Sequence, residues 1–304
     1  MIMEFIFPSE LPLTNPVIKF LLILLIILLA PLLLNKVKIP PLLGLILAGA
    51  VVGPNGLDII ERDNGIILSG TAGLLYIMFL AGLEIDLIDF KKNSKKSFIF
   101  GMYTFLIPMT LGIVAGLFLL DFGWATSILL ASMFASHTLI AYPLISKMGV
   151  AKNRAVNITV GGTLITDTLA LLVLAVIVGM SKGEVTLFFW VKLILSLITF
   201  ALVVILILPK IARWFLKKHE DNVSQYIFIL VLVFAGAVMA EAAGVEAIIG
   251  AFLVGLAINP LISHSSPLMN RIEFVGNAIF IPFFLIGVGM LVDFGSFFQS
   301  WETV

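Results

Sequence analysis

Residues 161–176 read GGTLITDTLALLVLAV, with one carboxylate, Asp167, set between threonines in an otherwise aliphatic run. The nearest other ionisable side chains along the chain are Arg154 and Lys182, thirteen and fifteen residues away. The flanks belong in hydrocarbon, and the rest of the chain has the same character. Of its 304 residues 61% are hydrophobic and only 12% charged, against about 25% charged in a soluble domain. Mean hydropathy is +1.19. The chain reads as an integral membrane protein. Its zero formal net charge points to no nucleic-acid partner, and its lack of cysteine excludes disulfides, thiolate metal sites and thiol catalysis. There is no phosphate-binding glycine loop, zinc motif or nucleophile–base pair, so the expectation is a protein that is not an enzyme and holds no cofactor.

A hydrocarbon layer of ~30 Å takes roughly 20 helical residues to cross. Candidate runs lie at about 16–34, 40–53, 65–87, 95–120, 124–147, 153–180, 185–214, 223–243, 245–262 and 270–293. The second and ninth are short and glycine-rich. The runs are continuous rather than alternating with period two, which favours helices over a barrel. The expected fold is an all-α membrane protein of about ten transmembrane helices. Basic residues set its orientation. Lys36 and Lys38; Lys91, Lys92, Lys95 and Lys96; Lys147, Lys152 and Arg154; Lys210, Arg213, Lys217 and Lys218; and Arg271 occupy alternate loops and make fourteen of the eighteen Lys and Arg. By the positive-inside rule those loops are cytoplasmic and the N-terminus is outside. The opening MIMEFIFPSELP lacks the basic start and cleavage site of a signal peptide and is expected to stay in the mature chain.

The chain also repeats itself. GLILAGAVVGPNGL (44–57) is echoed by GAFLVGLAINPLI (250–262), and FLAGLEIDLIDF (79–90) by FLIGVGMLVDFGSF (284–297). The paired segments start from opposite sides of the membrane, the construction of many secondary transporters. The expected organisation is one transmembrane domain over 1–304. Its first repeat covers about 40–180, linker helices about 185–243, and a partial second repeat about 245–294.

Asp167 falls near the bilayer midplane in this topology. Thr159, Thr163 and Thr166 share its face of the helix. Either the carboxylate is structural, ion-paired or protonated between helices, or it binds a cation or proton. In FASHTLIAYPLISKMG (134–149), His137 and Thr138 lie at the same depth on the preceding, antiparallel helix. Pro143 withdraws a backbone hydrogen bond there, and Ser132, Ser136, His137 and Thr138 ahead of it suit a helix broken at the midplane beside Asp167. His137 is also readable as a buried neutral histidine. Glu84, Asp86 and Asp293, at helix ends, and Glu241 and Glu246, flanking an outer turn, read as solvated or interfacial carboxylates.

GPNGLDII (53–60), MFLAGLEIDLIDFKK (78–92), ASHTLIAYPLISKMGV (135–150), LITDTLALLV (164–173), GAFLVGLAINP (250–260) and IPFFLIGVGMLVDF (281–294) together resemble the membrane domain of the monovalent cation:proton antiporters. The likeness extends to the Kef-type potassium/proton branch and the related sodium/proton exchangers. It implies antiport of Na+ or K+ against H+ by elevator-type alternating access, in a homodimer in the cell membrane. By position Asp167 takes the ion-binding carboxylate, with Thr166 where the family has Asp, Asn or Gln. His137, Thr138 and Pro143 fall in its first broken helix, and Thr163, one turn before Asp167 on the same face, is counted with the ion-binding residues. At the histidine position the family more often carries Ser or Thr. The resemblance further implies about three more spans and a second broken helix after PFFLIGVGM, and on that ground the second repeat is expected to be cut short at Val304. A non-transporting fragment or sensor on the same scaffold is the alternative.

Overall fold

Backbone N–H and C=O groups in hydrocarbon must be satisfied within the protein, which leaves helices for a chain of continuous apolar runs. The computed structural model describes residues 11–36, 41–85, 87–136, 145, 148–150, 153–182, 187–263 and 265–293, and every regular element among them is helical. In order these are α1 (Pro16–Lys36), α2 (Pro41–Val52), α3 (Asn64–Glu84), α4 (Leu87–Phe118), α5 (Trp124–Ala135) and α6 (Arg154–Lys182). They continue with α7 (Leu187–Leu202), α8 (Leu208–Lys218), α9 (Asn222–Ala243), α10 (Ala247–Ile258), α11 (Pro267–Val275) and α12 (Ile281–Gly289). Among the described residues seven helical stretches are long and apolar enough to cross a membrane. Leu42–Val52, Trp124–Ala135 and Ala247–Leu261 are shorter apolar helices. These ten coincide with the ten runs read from the sequence.

Two of the stretches are interrupted by a widened turn. Val203–Ile207 joins α7 to α8 and Gly276–Phe280 joins α11 to α12, both as π-helix. Each turn ends two residues before a proline, Pro209 or Pro282. A proline crowds the carbonyl four residues back and offers it no N–H. One i→i+5 turn lets the ladder skip that step, so the helix continues past the proline.

The helices divide into two units, Met1–Ile77 with Glu273–Val304 and Met78–Ile272. In the first, α12 lies along α2 with backbone almost touching backbone. A Cβ added to Gly49 would fall on the Ile286 carbonyl, and one added to Gly289 would meet the Ile46 carbonyl and the Ala50 nitrogen. The Asn55 side-chain amide donates to the Met290 carbonyl at 3.4 Å, at the C-terminal end of α12. Tyr76 of α3 stacks on Phe280 with ring centroids 4.6 Å apart. Asp63 opens α3, accepting from the Ile66 N–H at 3.0 Å and from Lys19 Nζ at 2.8 Å. The Lys19 hydrogen bond, and then the Ile66 amide, hold its carboxyl below the ordinary carboxylate range.

The second unit contains the same contact made by other residues. A Cβ on Gly255 of α10 would fall on the Phe79 carbonyl, and one on Gly82 of α3 would meet the Phe252 carbonyl and the Leu256 nitrogen. Asn259 donates to the Gly82, Leu83 and Ile85 carbonyls at 3.2, 2.6 and 3.0 Å, closing the C-terminal end of α3. The α10 residues are the α2 residues plus 206 (252 − 46, 255 − 49, 256 − 50), and the α12 residues are the α3 residues plus 207 (286 − 79, 289 − 82, 290 − 83). The sequence echo sets Gly82 beside Gly287. The contacts set it beside Gly289, because Gly289 is where no Cβ fits, whereas a Cβ on Gly287 meets only the Gly70 Cα, at 4.0 Å.

Gly82→Ala and Gly289→Ala should each force a Cβ into a backbone with no side chain to yield, at a cost of about 1–3 kcal/mol. Gly123→Ala, whose Cβ meets nothing within 4 Å, serves as the neutral control. Thermal unfolding in detergent checks this, with both Tm values expected below the parent's and that of Gly123→Ala unchanged.

Candidate functional site

Helices α4, α5 and α6 of the second unit position the acidic site. Arg154 Nε donates to Asn93 Oδ1 at 3.0 Å, and Gly101 backs onto Gly162. Both pairs have an offset of 61 (154 − 93 and 162 − 101), so α4 and α6 run in the same direction. Gly112 meets Ala131 and Gly116 meets Ser127, so α5 runs against α4. This alternation is the one expected of successive spans, and the glycines on α4 and α6 let the helices approach closely enough to bury what lies between them.

Helix α6 is 29 residues long with Asp167 its fourteenth, at mid-length. Asp167 is 2% exposed, Thr166 0% and Thr163 7%. Helix α5 stops at Ala135, and Ser136 is extended (φ −92, ψ 134) with its N–H still bonded to the Ser132 carbonyl. This turn aims the Ser136 hydroxyl at Asp167, where it donates to Oδ1 at 2.9 Å. The C-terminal end of α5, with its last carbonyls and their partial negative charge, thus lies beside the carboxylate.

Other hydroxyls are committed to their own helix. Thr166 Oγ1 donates to the Gly162 carbonyl at 2.7 Å, Thr168 to that of Leu164 at 2.7 Å, and Ser132 to that of Leu129 at 2.7 Å. Each oxygen keeps its lone pairs. Thr159, expected on the same protected stripe, is exposed and bonds back to the Ala155 carbonyl. It sits more than two turns from Asp167 on a side of α6 that lies open, while Asn157 and Val160 beside it are buried. Ser136, which the sequence marks only as part of a helix break, donates a hydroxyl to the carboxylate, and its place directly before His137 is the signal available for it. His137, Thr138 and Pro143 lie outside the described residues, as does Asp86.

Beyond Asp167, away from the Arg154 end, the three helices pack through Phe105, Met109, Ala131, Ala135 and Ala170, backed by Ile113, Ile128, Leu169 and Val173. Of the remaining carboxylates, Glu241 and Asp293 are exposed and Glu84 is half-buried. Glu246 is half-buried at the start of α10 rather than freely solvated. Among the described residues no three His, Asp or Glu converge as a multidentate metal centre would require.

Residues 23–304 match the family described as "Sodium/hydrogen exchanger, transmembrane". The chain belongs to that family. It is 38% identical over 298 residues to the Na(+)/H(+) antiporter NhaS5 of Synechocystis, covering 96% of this chain and 42% of that protein. It is 31% identical over 276 residues to the probable Na(+)/H(+) antiporter 3 of Methanocaldococcus jannaschii, covering 89% of this chain and 70% of that one. The chain therefore spans less than half the length of NhaS5. Among solved structures, the sodium proton antiporter MjNhaP1 of M. jannaschii superposes with a TM-score of 0.60 at 19% identity, over 93% of this chain and 71% of that one. That likeness extends the agreement from sequence to fold. This is a multi-pass, all-helical membrane protein of the cation:proton antiporter superfamily.

Ser136→Ala should leave the buried carboxylate one donor short, a loss of about 1.5–3 kcal/mol for a hydrogen bond to a charged group. Thr159→Ala, at an exposed hydroxyl, should stay within about 0.5 kcal/mol of the parent. Thermal unfolding of both variants at neutral pH distinguishes a bond that matters from one that does not.

Proposed function

We propose that this chain carries the exchange site of a secondary antiporter that moves a monovalent cation, Na+ or K+, against H+, with Asp167 as the group that holds each in turn. The observation that carries the reading is the approach of the α5 C-terminus to Asp167 through the 2.9 Å bond from Ser136. A helix end with roughly −0.5 charge beside a carboxylate that is 2% exposed is a setting that a cation or a proton shared between them stabilises. A dehydrated alkali cation and a proton are the two positive species that this reading places there in turn.

The ligands in this reading are the Asp167 oxygens, the Ser136 hydroxyl and the lone pairs of Thr166 and Thr163, with Thr138 and His137 supplied from the neighbouring stretch that contains Pro143. The partners are the alkali ion, protons, the lipid bilayer and a second copy of the chain. The protein sits in the cell membrane with its N-terminus outside and the Arg154 end of α6 cytoplasmic. Two repeats, about 40–180 and about 245–294, bracket linker helices at about 185–243 and work by an elevator-type motion. The recurring glycine contacts support the repeat. The names of the relatives support the choice of ions.

Asp167→Asn removes the titratable anion and keeps the shape of the site. Cation-dependent proton flux in everted vesicles, tested with each alkali ion, should fall to background in this variant while the protein still folds. Persistence of exchange would overturn the assignment. Thr138→Ala should raise the half-saturating cation concentration more than it lowers the maximal rate.

Thr166 offers a neutral hydroxyl where some relatives carry a second carboxylate, so one proton should exchange for one cation. Moved charge responds to membrane potential at ~2.3 kcal/mol per elementary charge per 100 mV. An electroneutral exchanger is indifferent to it, and exchange should slow at acidic pH as the proton competes for Asp167. A current on a solid-supported membrane that reverses with the cation gradient and survives His137→Ala would rule out one-for-one exchange.

A further inference from the structure

On the Arg154 side of Asp167 the interior is polar. Asn157 of α6 is 0% exposed and Ser97 of α4 is 3% exposed. Among the described residues neither Asn157 Oδ1 nor Nδ2, nor Ser97 Oγ, has a hydrogen-bond partner. The offset of 61 between the two helices sets Ser97 level with Ile158, next to Asn157, one turn in from the Arg154–Asn93 pair. A buried primary amide with both ends unmatched costs several kcal/mol in a dry interior, and the usual remedy is bound water.

We propose that Asn157 and Ser97 hold buried water between α4 and α6, and that the proton released by Asp167 leaves toward the Arg154 end of the helix through this site. From Asn157 to Asp167 is ten residues, about 15 Å of helix. Asn157, Val160, Thr163, Leu164 and Asp167 fall within about a third of the helix circumference at 3.6 residues per turn. The apolar cluster of Phe105, Met109, Ala131, Ala135 and Ala170 lies in the opposite direction, so among the described residues the polar line from Asp167 runs toward the Arg154 end. The transfer needs no new reagent. The Asp167 carboxyl gives its proton to a water, and hydrogen-bonded waters hand it on past Thr163 and Asn157.

The site suits protons and not the alkali ion. Arg154 stands at its exposed end, bonded to Asn93, and the passage beyond it is lined by groups buried to 0–3% exposure at Asn157 and Ser97. A proton moving by exchange of hydrogen bonds needs no cation-sized opening. The direction of transfer rests on the antiport reading of Asp167, whereas the presence of water does not.

The protein has no cysteine, so single thiols can be introduced without background. In everted vesicles, Asn157→Cys should react with a membrane-impermeant thiol reagent added on the exposed cytoplasmic face, and Ala170→Cys, within the apolar cluster, should not. Failure of the Asn157→Cys variant to react would overturn the hydrated site. Asn157→Leu should lower the maximal exchange rate about tenfold, the equivalent of one hydrogen-bonded step removed, with the half-saturating cation concentration unchanged. Asn157→Ser, which keeps a hydroxyl, should restore most of the rate and shows that any loss in the leucine variant is not misfolding. A rise in half-saturating cation with the rate preserved would mean the passage serves the cation, and would overturn the proposal. If the parent exchanges nothing, the antiport reading fails while the labelling result still decides whether the site is wet.

Discussion

A carboxylate at the middle of a membrane helix is the constraint from which the surrounding structure follows. Placing Asp167 at the bilayer centre costs about 2.5–3.5 kcal/mol on insertion scales and more by other estimates. Lipid cannot repay that, so the residue must face protein, and three helices close around it until it is 2% exposed. Closing that tightly requires helices whose backbones nearly touch, which is where Gly101, Gly162, Gly112 and Gly116 stand. One of the three helices must also end beside it, because an intact helix offers no backbone groups for polar contact. Helix α5 ends at Ala135 and turns Ser136 toward the carboxylate.

The same economy governs the glycine crossings in the two units. Association of helices in lipid gains little from apolar burial, since lipid tails are as apolar as leucine. Close backbone approach and interhelical hydrogen bonds take its place, and the contacts at Gly49, Gly289, Gly82 and Gly255 provide the first. Asn55 and Asn259 provide the second, each satisfying carbonyls that the last turn of a neighbouring helix leaves open. The Asn259 amide reaches three carbonyls and the Asn55 amide one, so the ends of α3 and α12 are held with unequal strength.

Much of this is legible in the residues because it depends on bulk properties. The apolar runs mark the spans, and the spread of Lys and Arg implies the alternation that the parallel α4 and α6 display. The isolation of Asp167 in sequence implies its burial. What escapes depends on local geometry. The echo around Gly82 is misregistered by two residues, because side-chain similarity aligns FLAG with FLIG while packing selects the glycine that another backbone touches. Sequence points to the cluster of Ser132, Ser136, His137 and Thr138 ahead of Pro143 for the break, and α5 stops within it at Ala135, but nothing in the chemistry of alanine and serine marks the exact residue. The widened turns before Pro209 and Pro282 have a clear cause once seen, but sequence alone does not separate a widened turn from a kink. Asn157 draws no attention in the sequence, because one amide in an apolar helix looks ordinary until its partners are sought.

In the antiport proposed for this chain, coupling depends on the two sides of Asp167 being unlike. Antiport fails if the carboxylate is in contact with water on both sides at once, because protons would then cross without a cation. Ala135 and Ala170 lie on the far side of the site from Arg154 within a packed apolar cluster, where the small size of both residues lets the helices pack closely. On the Arg154 side a continuous polar line would itself be hazardous in an antiporter, for it would leave the site open in every state of the proposed cycle. Val160, 2% exposed and lying between Asn157 and Asp167, interrupts that line. A valine offers water no hydrogen bond, so water bridges it only when the helices part at that level. On this reading Asn157 keeps water in reserve near the carboxylate, and Val160 ties its use to helix movement.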